Sequence, residues 1–341
     1  MSIFTDFNTD VAEGDIKTGN ISIVSSGMWS GGIGTLTSFY TSSTQSGSTG
    51  AHYYDVYNGE VGTNATASVQ FSVAYGHLEG SGSLTGDSDY AASKAVYRQL
   101  RNLLLPQNQE QFKFGASDTT SKSIFAVSMN RSRLKEKMDP GNWELHISGS
   151  SITQPFKFID DSGATTSPEV NQGGRVFNVV SGSISSGVAT TNTTAANQPG
   201  GGYGLFYPDL GVIVLNGPVL NVSASFIAQS GSNVNGNNNE TFFERIKVAG
   251  KFQSRREEVI TSQHYFCRVP NKEFNFSSNP TFTSGSDGSF TNATFFKNPK
   301  TFITQVGLYN DNNELLAVAK LSKPLLKSYS REAIIKVKLD F

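Results

Sequence analysis

A single cysteine, Cys267, stands in 341 residues, so no disulfide can form within the chain. That suits folding in a reducing compartment. Charge is scarce as well: 27 Lys and Arg face 28 Asp and Glu, for a formal net charge of -1. No field of either sign is present to gather nucleic acid or an anionic membrane surface. Apolar residues make up only 37% of the chain, a low share for a globular protein. Long hydrophobic runs are missing. The best, "LGVIVLNGPVL" from Leu210 to Leu220, is broken by Asn216, Gly217 and Pro218 and is too short to span a bilayer. The N-terminal "MSIFTDFNTDVAEGD" has no basic region followed by an apolar core, so it is no secretory signal. The expectation is a soluble protein assembled in the cytoplasm, with neither membrane nor nucleic acid as a partner.

Gly, Ser, Thr and Asn fill the gap, together with 24 Phe and 12 Tyr. Small polar residues make turns and aromatics favour strands. The chain therefore reads as α+β and predominantly β, with antiparallel sheets and few helices. Residues 1–50 read as an extended arm anchored by Phe4, Phe7, Ile21, Ile23, Met28 and Trp29. "AHYYDVYNGE" and "ASVQFSVAYG" are strands, and in the second Val69, Phe71, Val73 and Tyr75 alternate with smaller residues. "SDYAASKAVYRQLRNLLLP" is the clearest helix. Ser88 or Asp89 caps it, and Ala92, Val96, Leu100, Leu103 and Leu104 form its apolar stripe. Pro106 stops it, and a lone helix among strands must bury that stripe against a sheet.

Asp139-Pro140-Gly141-Asn142 predicts a turn, after which Trp143, Leu145 and Ile147 alternate as a strand. Beyond Ser148 the composition loosens. "RVFNVVSGSI", "LGVIVL" and "VLNVSASFIA" read as strands, "ETFFERIKV" as a short helix, and "SSGVATTNTTAANQPGGGYG" as low-complexity. Near the end, Asn310-Asp311-Asn312-Asn313 predicts a tight turn between "FITQVGLY" and "ELLAVAKL". Neither strand has a clean polar face, so this hairpin is expected in the centre of a sheet, covered on both sides. The closing "REAIIKVKLDF" is an amphipathic strand, with Ile335, Val337, Leu339 and Phe341 on one side. It is expected to tie the last residues into a sheet.

Chemistry is thinly represented. His52, His77, His146 and His264 share no metal-ligating spacing. His77 lies near Glu79 between Gly76 and Gly80, a pattern equally natural for a strand end entering a loop. Ser30, Ser81 and Ser83 sit among glycines without the strand-to-helix elbow of a nucleophile. Asp160 and Asp161, and Asp311 with Glu314, fit turn capping better than a calcium loop. Cys267 alternates with strand residues as a small apolar group. Arg131, Arg133, Lys135 and Lys137 form a basic cluster without interleaved aromatics, a solvated or partner-facing surface. No catalytic, cofactor-binding or metal-ligating set is assigned, and no enzyme is expected.

Several long stretches carry a resemblance: "GSTGAHYYDVYNGE", "ASVQFSVAYGHLEGSGS", "SKAVYRQLRNLLL", "RSRLKEKMDPGNWEL", "GGRVFNVVSGSISSGV", "HYFCRVPNKEFNFSSNPTF" and the closing "TQVGLYNDNNELLAVAKLSKPLLKSYSREAIIKVKLDF". Together they resemble virion structural proteins of contractile-tailed bacteriophages of the cyanophage and T-even type. The resemblance implies a non-enzymatic tail component, first a baseplate wedge protein, with a neck or capsid-associated place as the alternative. It implies tail and baseplate proteins as partners, a homo-oligomer (a dimer) within the assembly, and location in the virion. It also implies a discontinuous α/β core of residues 1–147 and 251–341 around a β-rich, loop-rich insert at 148–250. "NKEFNFSSNPTF", with Phe274 and Phe276, is the first segment to test as a partner contact, against the alternative that both rings enter their own core.

Two rival functions remain. A carbohydrate-binding β module at the receptor-binding tip would stack sugars on Tyr or on Trp29 and Trp143. A hydrolase would need paired carboxylates in one cleft, for which only Asp160 and Asp161 offer themselves.

Overall fold

The computed structural model describes residues 6–7, 14–42, 52–83, 91–115, 118–148, 155–165, 167–185, 188–191, 202–224, 237–276, 280–284 and 287–341. The chain forms two compact units, Ile23–Glu258 and Met1–Ser22 with Val259–Phe341.

The larger unit takes the C-terminal part of β1 (Ile16–Gly27), then β2 (Thr35–Leu36), β3 (Tyr54–Tyr57), β4 (Val69–His77) and α1 (Ala91–Leu104). Next come β5 (Phe112–Phe114), β6 (Thr119–Ser121), β7 (Ser123–Met129), α2 (Arg131–Leu134), β8 (Lys137–Ile147) and β9 (Phe156–Asp160). It continues with β10 (Glu169–Asn171), β11 (Gly174–Ser185), β12 (Val188–Thr191), β13 (Gly204–Tyr207) and β14 (Val212–Asn216). It ends with α3 (Gly217–Ala224), α4 (Asn238–Ala249) and the first part of β15 (Phe252–Val269). The main sheet runs β15-β8-β9-β11-β13-β14-β7-β4-β3, and every pairing recorded along it is antiparallel. The expected class, predominantly β with few helices, is what the structure has.

Both faces of this sheet are covered, as alternation along its strands shows. Ile213 and Leu215 enter one apolar cluster with Phe71, Val73 and Phe125; Val212 and Val214 enter another with Tyr97 and Leu104. α4 supplies Phe242, Phe243 and Ile246 to the first cluster, and α1 closes the second. α1 packs on β4 as expected, and Gly76 is what lets it approach: a Cβ there would meet the Tyr97 backbone nitrogen at 2.9 Å. Tyr97 is fully buried, donating to the Ser121 carbonyl at 2.7 Å and accepting from the Phe112 N–H at 3.2 Å. Leu103, placed in the stripe by spacing, is instead exposed. The expected caps Ser88 and Asp89 lie outside the described residues.

Four expectations are resolved. Met28 and Trp29, read as anchors of the arm, are buried against the chain's own body, and Trp29 Nε1 donates to the Phe252 carbonyl at 2.9 Å. Asp139–Asn142 is no hairpin turn. β8 continues through it and loops out against β15, whose partners step from Trp143 to Met138 between Ser254 and Arg256. Gly141, at φ +81°, takes the left-handed backbone this bulge requires, and its N–H donates to Asp160 Oδ2 at 2.8 Å. Third, "VLNVSASFIA" begins as helix α3, because Pro218 suits a first helical turn and Val219 and Leu220 are both buried; residues 225–228 lie outside the described set. Fourth, residues 148–250 are not a separate insert. β9 pairs with β8 and β14 with β7, so this stretch completes a sheet begun by residues before it.

The smaller unit holds the rest of β15, then β16 (Thr283–Ser284), β17 (Ser289–Phe290), α5 (Ala293–Lys297), β18 (Thr301–Tyr309), β19 (Leu315–Lys327) and β20 (Ala333–Asp340). β20 pairs antiparallel with β15 from Ser262↔Asp340 to Val269↔Ala333, so the closing strand is tied into a sheet as expected. The hairpin also forms, but as a two-stranded sheet of its own, β18 with β19. It is not central. No further strand of the described chain joins either edge, and Phe302, Tyr309, Leu315, Leu316 and Val318 are exposed.

Candidate functional site

The residues singled out by sequence resolve into structural roles. His77 ends β4, and its Nδ1 accepts the N–H groups of Glu79 and Ser81, each at 3.2 Å. Burial pushes its pKa down. Glu79 turns to Lys122 at 2.6 Å, so the suspected pair is engaged by its own loop. Ser30 Oγ sits 3.0 Å from Ser68 Oγ and receives Gln70 Nε2 and Arg133 Nη1, a hydrogen-bond hub without a general base. Ser83 Oγ accepts the Ser93 N–H at 3.1 Å and so fastens the start of α1.

Asp160 and Asp161 are buried, but they serve different partners. Asp160 accepts from the N–H groups of Gly141 and Ser162. Burial raises its pKa against the pull of those bonds. Asp161 takes the backbone and side-chain N–H groups of Asn178, both at 2.9 Å. They do not share a cleft. Cys267 is half-buried, and burial followed by the Asp15 charge raises its thiol pKa, the opposite of a reactive thiol. Much of the basic cluster is paired internally: Lys137 with Glu257 at 3.2 Å and Lys135 with Glu258 at 3.7 Å. Trp29 and Trp143 are buried and offer no face to a sugar. Among the described residues no group of three His, Cys, Asp or Glu stands together as a metal site would require.

One ionic cluster was not singled out from sequence. Glu144 on β8 is buried and accepts from His146 Nε2, Lys251 Nζ at 2.9 Å and the Ile184 N–H. Burial alone would raise its pKa; the three hydrogen bonds and the Lys251 charge outweigh that and bring it to about 2. The signal was present in "WELH", which sets Glu144 and His146 two residues apart on one strand face. The group joins β8, β11 and the segment before β15, and both carboxylate oxygens are engaged within the chain.

The smaller unit differs in kind. Of the apolar side chains buried in the described residues, only Val269, Phe295, Leu308 and Val337 belong to it, and neither apolar cluster includes any of its residues. Its hairpin base is nonetheless well fixed. Lys327 is fully buried, donating to the Asn271 carbonyl at 3.0 Å, Asn275 Oδ1 at 3.1 Å and the Ser328 carbonyl at 3.2 Å. Burial lowers its pKa. Beside it lies a cleft of about 360 Å³ lined by Phe274, Phe276, Phe282, Phe302, Ile303 and Lys300. Phe274 is half-buried and Phe276 59% exposed, so the segment picked from sequence places one ring at a surface.

No family model, curated protein or solved structure matches this chain. What it does must be argued from its own residues. Among the described residues no helix is long and apolar enough to cross a membrane.

Proposed function

We propose that this protein is a structural subunit of a contractile bacteriophage tail, most directly a baseplate wedge component, acting through protein–protein contacts rather than catalysis. The observation that carries the assembly part is the smaller unit's apolar exposure. Of its described apolar side chains only Val269, Phe295, Leu308 and Val337 are buried, while Phe276, Phe296, Phe302, Leu316 and Ile334 stand in the open, and exposed apolar side chains of this size are ones that another protein covers. The placement in a tail rests on the resemblance of the long stretches given above.

Disrupting the coding sequence in the phage that carries it, with electron microscopy of the lysate, tests the reading. Heads without complete contractile tails are expected. Intact tails that lack the chain and still infect would overturn it.

A further inference from the structure

The hairpin carries two chemically opposite ends. At its tip, Tyr309, Leu315 and Leu316 are exposed beside Asp311 and Glu314, with no basic residue between Phe302 and Lys320. The tip is held in shape: Asn310 Oδ1 accepts the N–H groups of Asn312 and Glu314 at 3.0 and 2.8 Å, and Asn310 Nδ2 donates to Glu314 Oε2 at 2.7 Å. At the base is the aromatic cleft, with Lys300 on its lining and Lys297 at the end of α5. Both lysines are exposed, and neither makes an ion pair among the described residues. The cleft wall is packed: Phe282 meets Phe295 edge-on at 4.3 Å and Phe276 meets Phe290 at 6.4 Å.

We infer that the acidic, apolar tip of one copy docks into the basic, aromatic cleft of a second copy. Complementarity of charge and the shared apolar character select this occupant. The tip cannot fold back into its own cleft, because the seven strand residues from Ile303 to Tyr309 hold the two about 20 Å apart. The contact is therefore intermolecular and joins unlike surfaces, tip to base. Such a contact repeats around a closed ring or along an open fibre. Leu315 and Leu316 fill the cleft against Phe276 and Phe302, while Asp311 and Glu314 face Lys297 and Lys300. A tip ordered before contact loses little entropy on docking.

This inference rests on the reading of the chain as an assembly subunit and adds the surface and the partner. Sedimentation velocity of the full chain, from about 1 to 100 µM, tests it in four forms: unchanged, Lys300→Glu, Glu314→Lys and the double variant. The unchanged chain is expected to self-associate. Each single variant sets like charges against each other and weakens association at least tenfold. The double variant restores the opposite charges and recovers it, which a merely damaged fold would not do. An unchanged chain that stays monomeric at 100 µM, or single variants that associate as before, overturn the inference. If a monomeric chain is nonetheless required for tail assembly in the gene-disruption experiment, the functional reading stands and only the self-docking fails.

Discussion

Lys327 Nζ lies 3.1 Å from Asn275 Oδ1, in a position where the lysine side chain has no exposed surface. The last residue of β19 thereby holds the loop that carries Phe274, whose backbone is left-handed at φ +55° and whose carbonyl accepts from Thr301 Oγ1 at 2.8 Å. One ammonium group shapes the wall of the aromatic cleft from inside the unit.

Replacing it should show this. Lys327→Met keeps the length of the side chain and takes the donor from Asn275 Oδ1, while the Asn271 carbonyl keeps the Asn275 Nδ2 donor at 2.7 Å. A buried acceptor left unmet costs about 1–3 kcal/mol. The expected result is faster hydrogen exchange across residues 271–276 and the hairpin base, with the larger unit's melting unchanged.

The Glu144 cluster predicts an acid limit for the larger unit. Its folded pKa is lowered to about 2 from the ordinary value of 4.5. A group whose pKa falls on folding contributes stability that is fully present above its unfolded value and is lost as pH falls through its folded value. The urea midpoint of the larger unit should thus drop as pH goes from about 5 to 2. Glu144→Gln should remove that portion of the pH dependence and cost on the order of 2–3 kcal/mol at pH 7, as Lys251 loses its charged partner and the Ile184 N–H faces an amide NH2. Urea melts read by Trp29 and Trp143 fluorescence at several pH values check both.

Gly76 is a spacer between β4 and α1. A Cβ there meets Tyr97 backbone atoms at 2.9 and 3.0 Å, which cannot move without moving the helix. Gly76→Ala should cost about 1–3 kcal/mol as an overpacking change. Gly163→Ala, with nothing within 4 Å of the added Cβ, should be close to neutral and serves as the control. Thermal melts of the two variants separate the effects.

The strand β4, the helix α1 and the closing strand β20 were legible because alternation or an i, i+4 stripe marks the side that each turns inward. The hairpin was legible as a hairpin, since Asn310 writes its turn chemistry into four residues. Its location was not. Apolar residues on both faces of β18 and β19 predict a cover, but the pattern is the same whether the chain itself or another protein would supply it, and within the chain they are exposed. The Asp139–Asn142 bulge was misread because Pro-Gly-Asn marks any left-handed backbone, and only the partner strand β15 decides between a reversal and a bulge. Glu144, His146 and Lys251 meet across more than 100 residues, so the strand pattern shows the first two and nothing local shows the third.

The claim on which the account turns is that the smaller unit is completed by another protein surface. Hydrogen–deuterium exchange of the full chain across a hundredfold concentration range measures this most directly. The account predicts that peptides from residues 301–327 gain protection as concentration rises, while those from β4, β7 and β14 do not change. Hairpin protection that is high and the same at every concentration would mean the chain completes this unit alone, and would contradict it.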